Sequence, residues 1–204
     1  MKVTLTELVD VVSKSGSPKA TKVFQIRARQ GAYSPQTDFY KMLRDQIVKT
    51  HRGGGGRGEL DLVLHRVSGE SRLQSYPQVI LSYKKWWGKR QLDWFNPPSA
   101  IYTSNGVSVS INPELGLGIN GVPHVIKLYF KADQLKKTGA DLITTLMESS
   151  LSSSVGPDTQ FAVLDVRRSR LFLAKHPASP TLLAMVKAEL AYVAEIWAGT
   201  EEAA

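Results

Sequence analysis

Apolar and polar residues alternate most regularly between residues 107 and 130, and this pattern predicts a β-meander. The segments GVSVSIN and LGLGI each place their apolar residues on one face of a strand. Asn120–Gly121 predicts a tight hairpin after them, because both residues tolerate positive φ. The returning strand, VPHVIKLYF, is predicted to alternate as well. Its inward residues are Ile126, Leu128 and Phe130, and its outward residues are Lys127, Tyr129 and Lys131.

Apolar residues at a spacing of three and four indicate helices elsewhere in the chain. Helices are predicted at residues 4–13, 35–51, 138–150 and 179–197. Ser34–Pro35 and Ser179–Pro180 begin two of them, because serine caps a helix and proline suits its first position. Ser17–Pro18 is a third such start, but the segment KVFQIRAR that follows it fits a helix or a strand equally well.

Three more segments predict strands. ELDLVLHRV alternates leucine with polar residues, which is typical of a half-buried strand, and PQVILSY resembles a second short strand. FAVLDVRRSRLFLA predicts a hairpin with a basic tip. The order of elements indicates an α+β fold with a mixed, largely antiparallel sheet, N-terminal helices and a C-terminal helix packed on the sheet.

The composition limits the chemistry. The chain has 204 residues and is 42% hydrophobic, so we expect a single domain over residues 1–204; residues 1–33 are interpreted alternatively as an N-terminal helical extension. The absence of cysteine excludes disulfides, thiolate zinc sites and a cysteine nucleophile. The four histidines lack metal-ligand spacing, and no G-x-S-x-G motif is present.

The charge favours an anionic partner. A net charge of +8 points first to nucleic acid. No apolar run is long enough to span a membrane, and the N-terminus lacks a secretory signal, so we expect a cytoplasmic protein with no membrane partner. The sequence does not specify an oligomeric state.

A run of glycines, HRGGGGRG, follows the helix at residues 35–51. Gly53, Gly55 and Gly58 formally fit G-x-G-x-x-G, but that motif needs a strand before it and a helix after it, and here the predicted order is reversed. We expect a flexible helix-to-strand connection. The alternative is a mobile basic loop in which Arg52 and Arg57 hold a phosphate.

The run RGELDLVL, followed by VILSYKKWW, resembles the GEIDLI region of PD-(D/E)xK nucleases, which include Holliday-junction resolvase-like members. In that fold an acid on one strand and an acid-x-lysine on the next hold Mg²⁺ beside the scissile phosphate. The resemblance implies Asp61 as the first metal acid and Lys84 as the lysine. Asp38 or Asp45 would be the acid on the preceding helix. Glu59 is a further catalytic candidate, with an exposed strand start as the alternative.

The sequence departs from the family pattern at the second acid. Ser82 stands two residues before Lys84, and a hydroxyl is a poor substitute for a carboxylate on Mg²⁺. A second match to the pattern is NPELGLGINGVPHVIK, with Glu114 as the acid and Lys127 as the lysine. There Val125 occupies the place of the second acid.

The segment YKKWWGKRQLDWF interleaves basic and aromatic residues. Cations attract phosphate and indole faces stack on bases, although Trp86 or Trp87 together with Trp94 are expected to be buried. The basic tip DVRRSR is a further candidate, with a charged hairpin end as the alternative. The predicted nucleic-acid-binding residues are Arg52, Arg57, Lys84, Lys85, Trp86, Trp87, Lys89, Arg90, Arg167 and Arg168.

These features favour a nucleic-acid-binding protein of nuclease-like fold with little or no metal-dependent activity. The first alternative is an Mg²⁺-dependent nuclease, for which Mg²⁺ would be the cofactor. The second is a non-enzymatic interaction protein whose tryptophans face a protein partner, since Trp and Arg are common anchors of interfaces.

Overall fold

A computed structural model describes residues 1–29, 38–174 and 178–199. The predicted helix start at Ser34–Pro35 lies outside these residues. The strands are β1 (Lys2–Thr4), β2 (Leu92–Phe95), β3 (Ala100–Ser104), β4 (Val107–Ile111), β5 (Leu115–Ile119), β6 (Val122–Tyr129), β7 (Gln160–Asp165) and β8 (Arg170–Leu173). The helices are α1 (Leu5–Val12), α2 (Ser17–Ala28), α3 (Lys41–Arg52), α4 (Glu70–Trp87), α5 (Lys137–Leu151) and α6 (Pro180–Ala198). Short 3₁₀ helices lie at Arg57–His65, Ser152–Ser154 and Val166–Arg168.

The strands form two sheets. The larger has the order β2-β5-β6-β7-β8, and only its β6–β7 pair is parallel, with α5 as the crossover. The smaller has the order β1-β4-β3, with β1 parallel to β4. The predicted α+β class with a mixed, largely antiparallel sheet is therefore confirmed. The C-terminal helix α6 contacts α2, α5 and the strands β3 and β4.

Both faces of the larger sheet are buried. One face, together with the smaller sheet and helices α1, α2, α5 and α6, forms a first core. The opposite face packs against α3, the 3₁₀ helix Arg57–His65 and α4 in a second core. Side chains along β6 alternate between the two, with Val125 and Tyr129 in the first core and Ile126 and Leu128 in the second.

This double coverage corrects the predicted outer face of β6. Ile126, Leu128 and Phe130 are buried as predicted. Lys127 and Tyr129 were expected to face solvent, but they are only 7% and 5% exposed. Strict alternation of lysine and tyrosine with apolar residues is typical of a half-exposed strand. Here Lys127 is buried in an ion pair with Glu114, and Tyr129 packs in the first core.

Two of the predicted strands are helical. The segment ELDLVLHRV lies in the 3₁₀ helix Arg57–His65, where the buried apolar residues are Leu60 and Val63 while Leu62 is half exposed. This spacing of three matches a 3₁₀ turn rather than a strand. PQVILSY lies inside α4, whose buried residues Tyr76, Val79, Ile80, Tyr83 and Trp86 follow the helical period. The ambiguous segment KVFQIRAR is also helical, within α2.

The glycine tract has a defined conformation at the end of α3. The Gly54 N–H donates to the His51 carbonyl at 3.1 Å, and the Gly55 N–H donates to the Thr50 carbonyl at 2.8 Å. Gly54 has a φ of +66°. These two bonds and the left-handed residue form a Schellman cap, which satisfies carbonyls that a helix end leaves unpaired. The tract joins α3 to the 3₁₀ helix Arg57–His65 and not to the strand that was predicted.

The meander turns follow their sequence signals. Asn120 and Gly121 both have positive φ, and they join β5 to β6 as predicted. Asn105 and Gly106 form an equivalent turn between β3 and β4, with φ of +51° and +71°. The hairpin β7–β8 is also antiparallel as predicted. Among the described residues, every helix is too short or too polar to cross a bilayer.

Candidate functional site

Asp61 and Lys84 meet, but on helices rather than on neighbouring strands. Lys84 Nζ lies 2.6 Å from Asp61 Oδ2, and the Asp61 side chain is about half exposed. Asp61 belongs to the 3₁₀ helix Arg57–His65 and Lys84 to the last turn of α4. The Ser82 hydroxyl donates to the Gln78 carbonyl, as serine does within a helix. The strand geometry that the family resemblance implied for this pair is therefore absent.

Glu114 and Lys127 have the strand placement that Asp61 and Lys84 lack. Glu114 directly precedes β5, and Lys127 lies on the adjacent antiparallel strand β6. Lys127 Nζ lies 2.7 Å from Glu114 Oε1, and it also donates to the Asn112 carbonyl at 3.1 Å. The second carboxylate oxygen of Glu114 accepts the Leu128 N–H at 2.7 Å. Both oxygens of this acid are thus used within the protein.

A cleft of about 610 Å³ opens beside this pair, between α1, α2, α3 and the end of β6. The cleft contains four acids, Glu7, Asp10, Asp38 and Glu114. Asp61 and Lys84 do not line it. The two pairs of catalytic candidates therefore do not form one site, and Glu59 lies apart from both, with its carboxylate against Gly55.

Each acid of the cleft already has a partner. Glu7 accepts the Thr4 N–H at 2.8 Å in the capping box of α1. Asp10 pairs with Lys22, at 3.1 Å, and with Lys131. Asp38 pairs with Arg44 and also accepts the Tyr40 N–H. Three of these acids are therefore paired with cations, and the fourth, Glu7, caps α1.

The pKa of Arg44 reflects the negative charges of this cleft. Burial acts to lower the pKa of its guanidinium, but the hydrogen bond and charge of Asp38 outweigh burial and raise the pKa above its ordinary value. The charges of Glu114 and Asp45 act in the same direction. Asp38 and Glu114 therefore both stabilise this cation, and a second cation would compete with it for them.

The residues of the cleft do not fit a Mg²⁺ ion. Mg²⁺ needs free oxygen ligands at about 2.0–2.1 Å, usually from at least one or two carboxylates. In the described part of the chain, no three His, Asp or Glu side chains are grouped to hold a metal. Val125, at the place of the second acid, is fully buried in the first core. A carboxylate could not occupy that position without entering the core.

The cations expected to bind nucleic acid form a different group. Six exposed basic residues lie in the last turns of α3 and α4, at the start of the 3₁₀ helix Arg57–His65, and between α4 and β2. We call them the basic surface; they are Lys49, Arg52, Arg57, Lys85, Lys89 and Arg90. Among the described residues, none of the six forms an ion pair with an acid. Asp45, four residues before Lys49, is instead paired with Lys41.

A buried contact joins the helices that carry these cations. The His51 Nε2 of α3 and the Tyr83 hydroxyl of α4 share a hydrogen bond at 2.7 Å. The His51 ring also lies 4.4 Å from the Trp87 ring. Burial lowers the pKa of His51 to about 4 and raises the pKa of Tyr83 well above its usual value, so both groups are neutral at neutral pH.

The aromatic residues of the segment at residues 83–95 are less available than the sequence suggested. Trp86 is 2% exposed and cannot contact a ligand, so its predicted binding role is incorrect. Trp87 and Trp94 are partly buried against the second core. Arg52 lies over the Trp94 ring at 5.5 Å, which links α3 to β2. Arg90 lies over the Trp86 ring at 5.7 Å, so two of the six cations are anchored on aromatic rings.

Arg167 and Arg168 are used within the protein. Arg167 donates to the Tyr40 hydroxyl at 2.6 Å and to the Ser75 hydroxyl at 3.1 Å. Arg168 donates to the Ala132 carbonyl at 2.6 Å and pairs with the buried Asp165. Their guanidinium groups connect the turn after β7 to neighbouring elements.

One member of the basic surface was missed at the sequence level. Lys49 lies in the last turn of α3, three residues before Arg52. The concentration of Lys49, His51 and Arg52 at one helix end was visible in the sequence, but cations are common there because they complement the helix dipole. Their proximity to residues 85–90 depends on the packing of α3 against α4 and β2.

No family model and no curated protein sequence matches this chain. A solved structure does share its fold: a "putative exonuclease" from Eubacterium rectale matches with a TM-score of 0.51 and 10% sequence identity. The match covers 96% of this chain and 81% of that chain. At this level of identity, the likeness concerns the fold alone.

Proposed function

We propose that this protein binds nucleic acid through the basic surface, and that its nuclease-like fold has little or no metal-dependent cleavage activity. The observation that carries the proposal is the contrast between two groups of cations. In the cleft, Lys22, Arg44, Lys127 and Lys131 are paired with acids, whereas the six of the basic surface are exposed and have no acidic partner among the described residues.

Unpaired cations on one surface are what a polyanion requires. Each phosphate contact releases a condensed counterion, which drives binding at low salt. A lysine that is already paired with a carboxylate would lose that partner on binding and gain little. Lys49, Arg52, Arg57, Lys85 and Lys89 lose no carboxylate partner when they bind phosphate. Of the excess charge of +8, these cations are therefore the best suited to bind a polyanion.

The lack of cleavage is proposed from the acids of the cleft. A nuclease of this fold would use Glu114 with a second carboxylate to hold Mg²⁺, but Glu114 is occupied by Lys127 and the Leu128 N–H. Opening the site to a metal would leave the buried Lys127 without its partner, which is costly for a buried ion pair.

The binding experiment compares two double variants with the same change in charge. Fluorescence anisotropy measures binding to a labelled duplex of about 20 base pairs at low salt. We expect Lys85→Glu with Lys89→Glu to weaken binding by at least about tenfold, because two phosphate contacts become repulsive. The matched control, Lys136→Glu with Lys187→Glu, changes exposed lysines near α5 and on α6, and we expect binding within about twofold of the parent.

Equal weakening by the two double variants would contradict the location of the site, since only net charge would then matter. Absence of binding by the parent at low salt would contradict the function.

A cleavage assay tests the proposed lack of metal-dependent activity. Labelled duplex and single-stranded DNA are incubated with the protein and Mg²⁺. Cleavage that disappears in Glu114→Gln would show a working metal site and overturn it.

A protein partner is the second candidate function. Leu73, Pro77 and Leu81 lie at intervals of four residues on α4 and are all exposed, Leu81 by 70%. Such an apolar stripe on a helix is typical of a binding face. Leu81→Lys tests this candidate: a self-associating parent that becomes monomeric in light scattering would support an interaction role for this face.

A further inference from the structure

We infer that the basic surface contacts nucleic acid through its phosphates alone, without stacking on bases and without preference for sequence. This inference rests on the proposed nucleic-acid binding and specifies which part of the polymer is recognised. It depends on how the structure uses the aromatic rings and the arginines of the basic surface.

Stacking on a base needs an open ring face. Trp87 has the His51 ring at 4.4 Å and the Tyr83 ring at 6.4 Å, and it also packs against the second core. Trp94 carries Arg52 over its ring and packs against the same core. These indoles pack between α3, α4 and β2, so little of their ring surface is accessible to a base.

The remaining aromatic residues of this segment are also occupied. Tyr83 is fully buried and bonded to His51, and Trp86 is buried beneath Arg90. Phe95 packs across Gly116 of the neighbouring strand, so closely that a Cβ on Gly116 would collide with the Phe95 ring. None of the aromatic side chains between residues 83 and 95 therefore presents a free platform within the described structure.

Base edges are read by groups that can form paired hydrogen bonds, and arginine is the main such group for guanine. Arg52 is held over Trp94. Arg90 donates to the Trp86 carbonyl and lies over the Trp86 ring. Lysines act as point charges without a fixed fork. Among the arginines of the basic surface, only the Arg57 side chain has neither a ring contact nor a hydrogen bond to the described residues.

The remaining means of recognition is the attraction between the exposed cations of the basic surface and the phosphates of the nucleic acid. Lys49, Lys85 and Lys89 project from helix ends into solvent, where they can follow a phosphate backbone of either strand. A surface of this kind should bind DNA in proportion to the phosphates it reaches and ignore the bases between them.

The test uses three single strands of equal length and phosphate number: a mixed sequence, a thymine homopolymer and a strand of abasic residues. A single stacked base contributes roughly 5- to 150-fold in affinity. We expect the abasic strand to bind within about twofold of the other two, because no base contributes to binding. A loss of about tenfold or more on removing the bases would overturn the inference.

Tryptophan fluorescence and two Arg57 variants complete the test. We expect no quenching of indole emission by stacked bases, because the inference excludes base stacking on the tryptophans. Arg57→Lys should leave the affinity for guanine-rich and thymine-only strands equal, as in the parent. A guanine preference that Arg57→Lys removes would contradict the inference, whereas Arg57→Glu should weaken all strands alike.

The result separates the two proposals. If neither the labelled duplex nor any of the three single strands binds at low salt, the proposed function fails and the inference fails with it. If the strands bind but the abasic strand is strongly disfavoured, the function stands while recognition through phosphates alone is wrong. Equal binding of all three strands, with weakening by Lys85→Glu and Lys89→Glu, supports both.

Discussion

Glu114 and Lys127 form an ion pair at 2.7 Å across the β5–β6 hairpin, in a place where about nine-tenths of each side chain is buried. The Leu128 N–H and the Asn112 carbonyl complete the pair. The arrangement occupies both carboxylate oxygens of Glu114 with hydrogen-bond donors of the protein.

The first prediction concerns the energy of this pair. Glu114→Gln leaves Lys127 buried beside a neutral amide, so we expect the free energy of unfolding to fall by about 3 kcal/mol. Asp45→Asn, which breaks the exposed pair between Lys41 and Asp45, should cost less than about 1 kcal/mol. Urea denaturation of both variants measures the difference.

Replacing both partners with apolar residues tests whether stability requires the two charges or only that neither charge is left buried without its partner. Glu114→Leu with Lys127→Met removes both buried charges at once, and we expect it to cost less than Glu114→Gln alone. If Glu114→Gln proves as mild as Asp45→Asn, the pair is not the closed, desolvated contact that its distances indicate.

The second prediction is a dependence of stability on pH through His51. The pKa of His51 is about 4 in the folded protein and near 6.5 in an unfolded chain, because burial disfavours the charged ring. Between these values the unfolded chain binds more protons, so the free energy of unfolding should fall as the pH falls from 6.5 to 4. The total loss from this residue is about 3 kcal/mol, and it is absent above pH 7.

His51→Gln separates this effect from other titrating groups. Glutamine keeps a hydrogen-bonding partner for Tyr83 but does not titrate, so the variant should lose less stability than the parent across the same window. His124, whose pKa is also lowered by burial, is present in both proteins and cancels in the comparison. Identical slopes for parent and variant in urea denaturation between pH 7 and about 4 would refute the assignment.

The third prediction concerns the glycine tract. Gly54 has a left-handed conformation that a side chain disfavours, so Gly54→Ala should destabilise the protein by about 1 kcal/mol. Gly58 has no positive φ, and nothing lies within 4 Å of the position that a Cβ would occupy. Gly58→Ala should therefore be neutral or stabilise by up to about 1 kcal/mol. Equal effects in thermal unfolding would indicate that the cap is not held in solution.

The fourth prediction is the salt dependence of DNA binding. A phosphate contact contributes about −0.9 to the slope of log K against log salt, so six cations limit the slope to roughly −5. Lys85→Gln with Lys89→Gln should reduce the slope by about two while leaving the fold intact. Anisotropy titrations at several salt concentrations measure it, and an unchanged slope would exclude these lysines from the interface.

Local interactions account for the parts of the fold that could be predicted. The alternation in β4, β5 and β6, the Asn120–Gly121 turn and the period of α5 and α6 are short-range signals, and all appear in the structure. The segments ELDLVLHRV and PQVILSY were predicted as strands, because a run of about seven residues rich in Leu, Val and Ile fits either state. Burial of Leu60 with Val63, and of Tyr76 with Ile80, selected the helical state.

The sequence by itself determined which chemical groups are present: an excess of cations, no cysteine, and the acid and lysine residues of two partial motifs. Only the tertiary structure decided how these groups are used. The acid of the strand motif became bound to its lysine because both faces of the larger sheet are covered. The hydrogen bond between His51 and Tyr83, residues far apart in the chain, joins the helix α3 that carries Lys49 and Arg52 to the helix α4 that carries Lys85. Pairing and burial of charges depend on such long-range contacts, which no local pattern encodes.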